Sequence, residues 1–187
     1  MKIAFFTLGC KVNQYESQEM ICRLRTKGYS VVEPKEEADI YVVNSCTVTA
    51  ESSRKTRQAL RKFRNEHPEA VVVLTGCYTQ AFSEETSAFE EADIVLGNKT
   101  NCLLEEKLEE FFSEKKRTVQ IEAHKKEDGY KGGIITDFDG HTRAFVKIQD
   151  GCNRYCTYCI IPKARGFSRS KPVEDIKTEV AILAKEG

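Results

Sequence analysis

Short, dense apolar runs alternate with longer segments in which apolar residues recur every three or four positions. The runs KIAFFTL (2–8), ADIYVV (38–43), AVVVLTG (70–76) and ADIVLG (92–97) read as strands. The run at 70–76 is apolar almost throughout, the pattern of a strand covered on both faces of a parallel sheet. A shorter strand is expected at 29–32. Helices are expected at 13–27, with Met20, Ile21 and Leu24 inward and Gly28 as the stop, and at 48–66, ending before Pro68. Two more are expected at 79–90 and 101–112, the latter with Leu104, Leu108 and Phe111 at helical spacing. This β–α alternation predicts an α/β fold, a doubly wound domain with a mainly parallel sheet over residues 1–115.

The pattern then changes. Residues 116–141 are polar and read as a linker, with a short edge strand at 117–121. TRAFVKIQDG (142–151) reads as a strand entering a cysteine loop. The last helix carries Pro172 in its first turn and Val173, Ile176, Val180 and Leu183 on one face. One strand and one helix cannot close a core. Residues 142–187 are therefore expected to be the opening βα unit of a larger domain that continues beyond Gly187.

Composition adds limits. With 40% apolar and 31% charged residues, the chain reads as a globular protein. Lys+Arg and Asp+Glu balance at 29 each, so a nucleic-acid partner would need a local basic patch. Two candidates are Arg54, Lys55, Arg57, Arg61, Lys62 and Arg64 on one predicted helix, and Lys163, Arg165, Arg169 and Lys171 near the chain's end. For the helix, an ordinary solvated face is the competing reading. No apolar run reaches the ~18 residues of a membrane span. The opening MKIAFFTLGC has the outline of a lipoprotein signal, but its apolar stretch is short and a regular strand pattern follows without a break. A reducing cytoplasm is the expected location, where cysteines serve more often as metal ligands or in catalysis than in disulfides.

Eight cysteines carry the chemistry. Cys152, Cys156 and Cys159 stand in C-x₃-C-x₂-C spacing within GCNRYCTYC, close enough to wrap one metal centre. Zinc would want a fourth ligand; the nearest His is His141 and no fourth Cys follows. A [4Fe–4S] cluster on three cysteines would keep one iron open. Cys10, Cys46 and Cys77 are far apart in sequence, but each follows a predicted strand by one to three residues, after Gly9, Ser45 and Gly76. Strands of a parallel sheet end on the same side, so three neighbouring strands would bring these thiols together. Three separately buried core cysteines are the alternative. Cys22 and Cys102 read as packing residues.

The CTYC segment, with Tyr158 at the aromatic position, resembles the signature of radical S-adenosylmethionine enzymes. Together with TLGCKVNQYES, VNSCTVTAES, VVLTGCYTQ and GCNRYCTYCIIPKARGFSRSK, it resembles the methylthiotransferases, most closely the branch acting on N6-threonylcarbamoyladenosine in tRNA. The resemblance implies two [4Fe–4S] clusters. One, on Cys10, Cys46 and Cys77, would hold sulfur. The other, on Cys152, Cys156 and Cys159, would bind and reductively cleave S-adenosylmethionine. Tyr158 and Arg165 are the implied cofactor-binding candidates, Arg165 for the S-adenosylmethionine carboxylate or a substrate phosphate. tRNA, S-adenosylmethionine and an electron donor are the implied partners. The chain is expected to be an N-terminal part, inactive alone. The competing readings are a non-catalytic metal- or RNA-binding module and a methylthiotransferase for isopentenyladenosine tRNA or a ribosomal-protein aspartate.

Overall fold

The structure is a computed structural model and describes residues 1–138 and 143–186, without the side chain of Glu186. The linker's end, His141, the first residue of the strand expected at 142–151 and Gly187 lie outside the described residues. Six strands form one sheet: β1 (Lys2–Thr7), β2 (Ser30–Val32), β3 (Ile40–Ser45), β4 (Val71–Gly76), β5 (Ile94–Leu96) and β6 (Thr118–Gln120). Their order is β2-β1-β3-β4-β5-β6, and every pairing is parallel. The sheet thus takes in 118–120, from the edge strand expected within the connecting region.

Every residue of β3 and β4 is buried, the physical meaning of their unbroken apolar runs. Alternation divides them between two cores. Tyr41, Val43, Val72 and Leu74 face α2 (Ala50–Glu66) through Ala59, Leu60 and Phe63. Ile40, Val42, Val71 and Val73 face α1 (Lys11–Thr26) through Met20 and Leu24, and α5 (Leu104–Glu114) through Leu104 and Leu108. Helices on both faces make the domain doubly wound. Thr49 caps α2 by accepting from the Ser52 amide at 3.2 Å. Thr49→Ala should cost about 1 kcal/mol and lower the melting temperature by about 2–4 °C, read by circular dichroism.

Three elements differ from expectation. Helix α1 starts at Lys11, because extended Cys10 is its N-cap and its carbonyl already accepts from Gln14. The helix expected at 79–90 is two pieces, α3 (Cys77–Ala81) and α4 (Ser83–Ser87), which meet at Phe82 in a non-helical conformation. The Thr79 carbonyl, which a continuing helix would pair with the Ser83 amide, accepts from the Thr86 hydroxyl at 3.3 Å. The strand expected at 142–151 shrinks to β7 (Gln149–Asp150), paired antiparallel with β8 (Arg169–Ser170) after the short helix α6 (Ile161–Arg165). Among the described residues the rest of that run has no ladder partner.

The polar connecting region is a packed strap. Gln18 donates to Asp137 at 2.6 Å, Glu19 accepts from the Gly133 amide at 2.7 Å, and Ile135 is buried with Tyr15 and Cys22. Helix α7 (Val173–Glu186) begins after Pro172, whose carbonyl accepts from Ile176. Its expected apolar face is reversed in part: Val173 and Val180 are exposed, while Glu179 is buried. Glu179 is held there by an ion pair with Lys171 and a hydrogen bond from Tyr15.

Candidate metal centre

The chain runs from β1 to the edge strand β2, then returns to the other side of β1 as β3. The crevice at the carboxyl ends of β1 and β3 is where such sheets place ligands. Cys10 follows β1, Cys46 follows β3 directly, and Cys77 follows β4 as the first residue of α3. Because β1, β3 and β4 are adjacent and parallel, all three cysteines lie at one sheet edge. Cys46 and Cys77 are buried and Cys10 is exposed.

Asn13, fully buried, organises this edge. Its amide donates to the Leu8 carbonyl at 3.0 Å and the Ser45 carbonyl at 2.8 Å, tying together the ends of β1 and β3. Its Oδ1 faces the Sγ of Cys77 at 3.6 Å and of Cys10 at 3.9 Å. Cys46 closes the group from Gly9, where a Cβ would stand 2.5 Å from the Cys46 Sγ. With φ of +99°, Gly9 also holds a conformation that side chains disfavour.

The second cysteine segment packs against this edge. Ile160 and Ala164 join Cys77 and Ala81 in one small apolar cluster. The loop of Cys152, Cys156 and Cys159 lies between β7 and α6, pinned by the Cys152 amide on the Gly166 carbonyl and a turn from Cys156 to Cys159. Cys156 is exposed, Cys152 and Cys159 half-buried, and Tyr158 is 90% exposed.

Arg165 is 4% exposed. Its guanidinium donates to both carboxylate oxygens of Glu16 at 2.7 and 2.9 Å, to Asp150 at 3.1 Å and to Asn13 Oδ1 at 2.8 Å. Lys147 also reaches Glu16, at 3.1 Å. Burial pushes the Glu16 carboxyl up, but Arg165 and Lys147 outweigh it and hold the group at about 2. Burial pushes the Cys77 thiol up to about 12, against the pull of Arg165.

Asn13, Glu16, Lys147 and Asp150 escaped the sequence reading. For the first two a signal existed: they precede Met20 at helical spacing, polar residues on the stripe that α1 buries. On α2 the ordinary solvated face fits, while the second patch is largely turned inward. On α2, Arg54, Lys55, Arg57, Arg61, Lys62 and Arg64 all pair with nearby carboxylates. In the second patch Arg165 and Lys171 are buried, and Arg169 turns to Asp150; Lys163 is exposed, over the Phe82 ring. Cys22 packs with Tyr15 and Ile135, and Cys102 lies half-buried in a 3₁₀ turn.

Among the described residues, no group of three or more His, Cys, Asp or Glu side chains is arranged to hold a single metal ion. The donor set at the sheet edge is instead three thiols beside a buried guanidinium. Soft thiolate ligands with a fixed positive charge nearby fit an anionic iron–sulfur cluster, whose several irons spread its ligands wider than one ion does. No helix among the described residues is long and apolar enough to cross a membrane.

Relatives match along the whole chain. The threonylcarbamoyladenosine tRNA methylthiotransferase MtaB of Aquifex aeolicus (strain VF5) is 39% identical over 188 residues, covering 100% of this chain and 46% of that protein. MtaB of Bacillus subtilis (strain 168) is 36% identical over 99% of this chain and 41% of its own length. The tRNA-2-methylthio-N(6)-dimethylallyladenosine synthase of Buchnera aphidicola subsp. Acyrthosiphon pisum (strain APS) is 31% identical over 97% of this chain and 42% of that protein. The chain thus spans less than half the length of these relatives. Residues 2–97, the part that carries Cys10, Cys46 and Cys77, match the model of the family described as "Uncharacterized protein family UPF0004", and the chain belongs to that family.

Proposed function

We propose that this chain is the N-terminal part of a cytoplasmic tRNA methylthiotransferase that acts on N6-threonylcarbamoyladenosine beside the anticodon. The observation that carries the reading is three cysteines at the carboxyl edge of one parallel sheet, with the segment that follows Cys152, Cys156 and Cys159 packed on that edge through Ile160 and Ala164. The substrate choice is supported by identities of 39% and 36% to the two MtaB proteins, against 31% to the dimethylallyladenosine synthase. On this reading residues 1–115 are the methylthiotransferase N-terminal domain, 116–141 the linker, and 142–187 the start of the radical S-adenosylmethionine core. The chain alone would be inactive, and tRNA, S-adenosylmethionine and an electron donor would be partners of the whole protein.

Cys10, Cys46 and Cys77 would hold one [4Fe–4S] cluster, and Cys152, Cys156 and Cys159 a second. When bound, these groups would supply an open iron for sulfur and electrons to cleave S-adenosylmethionine at its sulfonium. The chain's own residues prepare the first site: Asn13 orients Cys10 and Cys77, Gly9 lets Cys46 approach the β1 turn, and burial of Cys46 and Cys77 keeps water from their sulfurs. Exposed Tyr158 would lie at the cofactor face of the second segment. Arg165, with its donors taken by Glu16, Asp150 and Asn13, would act by fixing that segment rather than as a free anion ligand.

Anaerobic reconstitution with iron and sulfide tests the reading. About eight irons per chain are expected, falling to about four when Cys10, Cys46 and Cys77 are all replaced by Ala. Unchanged iron in that triple variant would remove the first site.

A further inference from the structure

We propose that Arg165 is a positioning residue that couples the two cysteine segments: it belongs to the segment of Cys152, Cys156 and Cys159, yet supplies the buried counter-cation of the Cys10, Cys46 and Cys77 site. The inference rests on the reading that this first site holds an anionic iron–sulfur cluster.

The placement of the charges points that way. Ion pairs join five side chains into one group: Glu16 and Asp150 with Arg165, Lys147 and Arg169. Glu19, also buried, acts on Lys147 as a third carboxylate, so carboxylates and cations balance and what matters is where each cation lies. A guanidinium keeps its charge when buried, and an anion placed beside it is attracted strongly away from water. Arg165 is the member that reaches the sheet edge. It meets the Asn13 Oδ1 that the thiols of Cys10 and Cys77 also face, and Ala164, next to it in α6, packs on Cys77. A ligand that adds negative charge at those thiols is attracted by the Arg165 guanidinium and holds α6 in place. By reciprocity, docking of α6 favours that ligand to the same degree.

The geometry also selects arginine. One end of the planar guanidinium makes two bonds to Glu16, and the same group reaches Asn13 and Asp150. A lysine ammonium would keep the charge and lose the fork. Charge and geometry are therefore separable by substitution.

The test uses this chain with Cys152, Cys156 and Cys159 replaced by Ala, so that iron loads only the first site. Amide hydrogen exchange over 161–170 is compared with and without iron and sulfide, and the reduction potential of the loaded site is measured. Loading should slow exchange there by about 5-fold or more, the lower end of coupling between linked sites. Arg165→Gln should abolish the slowing and make the potential more negative, because a cation near a cluster favours its reduced, more anionic form. Arg165→Lys should restore the potential and only part of the slowing. If Arg165→Gln does not fold, Arg169→Gln removes a charge at the network's more exposed end and should shift the potential in the same direction. Equal slowing with Arg, Gln and Lys at 165, or a potential that no charge removal moves, would overturn the coupling. A chain that binds about four irons but shows no slowing defeats this inference alone; a chain that binds none defeats the cluster reading with it.

Discussion

Glu16→Ala is expected to cost about 3–5 kcal/mol of stability, the penalty of breaking a buried ion pair by removing one partner. Glu16 is 3% exposed and accepts from both Arg165 and Lys147, so its loss takes the nearest carboxylate from two buried cations. The pairs also join α1 to the segment after the strap, so the same variant should open residues 143–186 to protease. Urea unfolding followed by circular dichroism checks the magnitude; a loss below about 1 kcal/mol would show that the network does little for the fold. Acid should reach the same pairs. The Glu16 carboxyl sits at about 2 in the folded chain against an ordinary 4.5. Its contribution is thus present above pH 4.5 and lost as the pH falls towards 2. Glu16→Gln should remove this acid dependence, and melting curves across the window would show it.

The second large effect is expected at Gly76→Ala. Gly76 ends β4 directly before Cys77, with φ of +102° and ψ of −163°, a region that side chains avoid. A Cβ there would stand 2.5 Å from the Ser45 carbonyl oxygen and from Asn44 Oδ1, and 2.7 Å from the Ser45 nitrogen. Ser45 is the ladder partner of Gly76 in the centre of the sheet, so its backbone cannot withdraw without breaking the pairing that aligns Cys46 with Cys77. Backbone strain and overpacking together should cost about 3 kcal/mol or more. Gly129→Ala, where a Cβ meets nothing within 4 Å, is the control and should stay within about 0.5 kcal/mol of the parent. If the two variants melted alike, the close approach of β3 and β4 would not limit residue 76.

Much of the fold was legible because it rests on local periodicity. The runs 38–43 and 70–76 announce strands covered on both faces, and Met20, Leu24, Leu104 and Leu108 mark the helix faces that cover them. The break at Phe82 was not legible: residues 79–90 favour a helix by composition, and the hydroxyl bond that takes the freed Thr79 carbonyl depends on where the backbone already lies. The strand expected at 142–151 failed for a related reason. An apolar run can be extended, but it becomes a strand only where a partner supplies the ladder, and among the described residues only Arg169 and Ser170 do so.

The site divides the same way. By itself the sequence determined which cysteines come in sets and that each of the first three follows a strand, because both are facts of spacing. Only the tertiary structure decided that β1, β3 and β4 lie side by side, that Asn13 serves two of the thiols, and that Arg165 turns inward to Glu16 instead of outward to a ligand. Position along a chain specifies what a residue can do. Which buried charge it must answer is set by distance in space, and Glu16 and Arg165, 149 residues apart, are brought within 2.7 Å by packing alone.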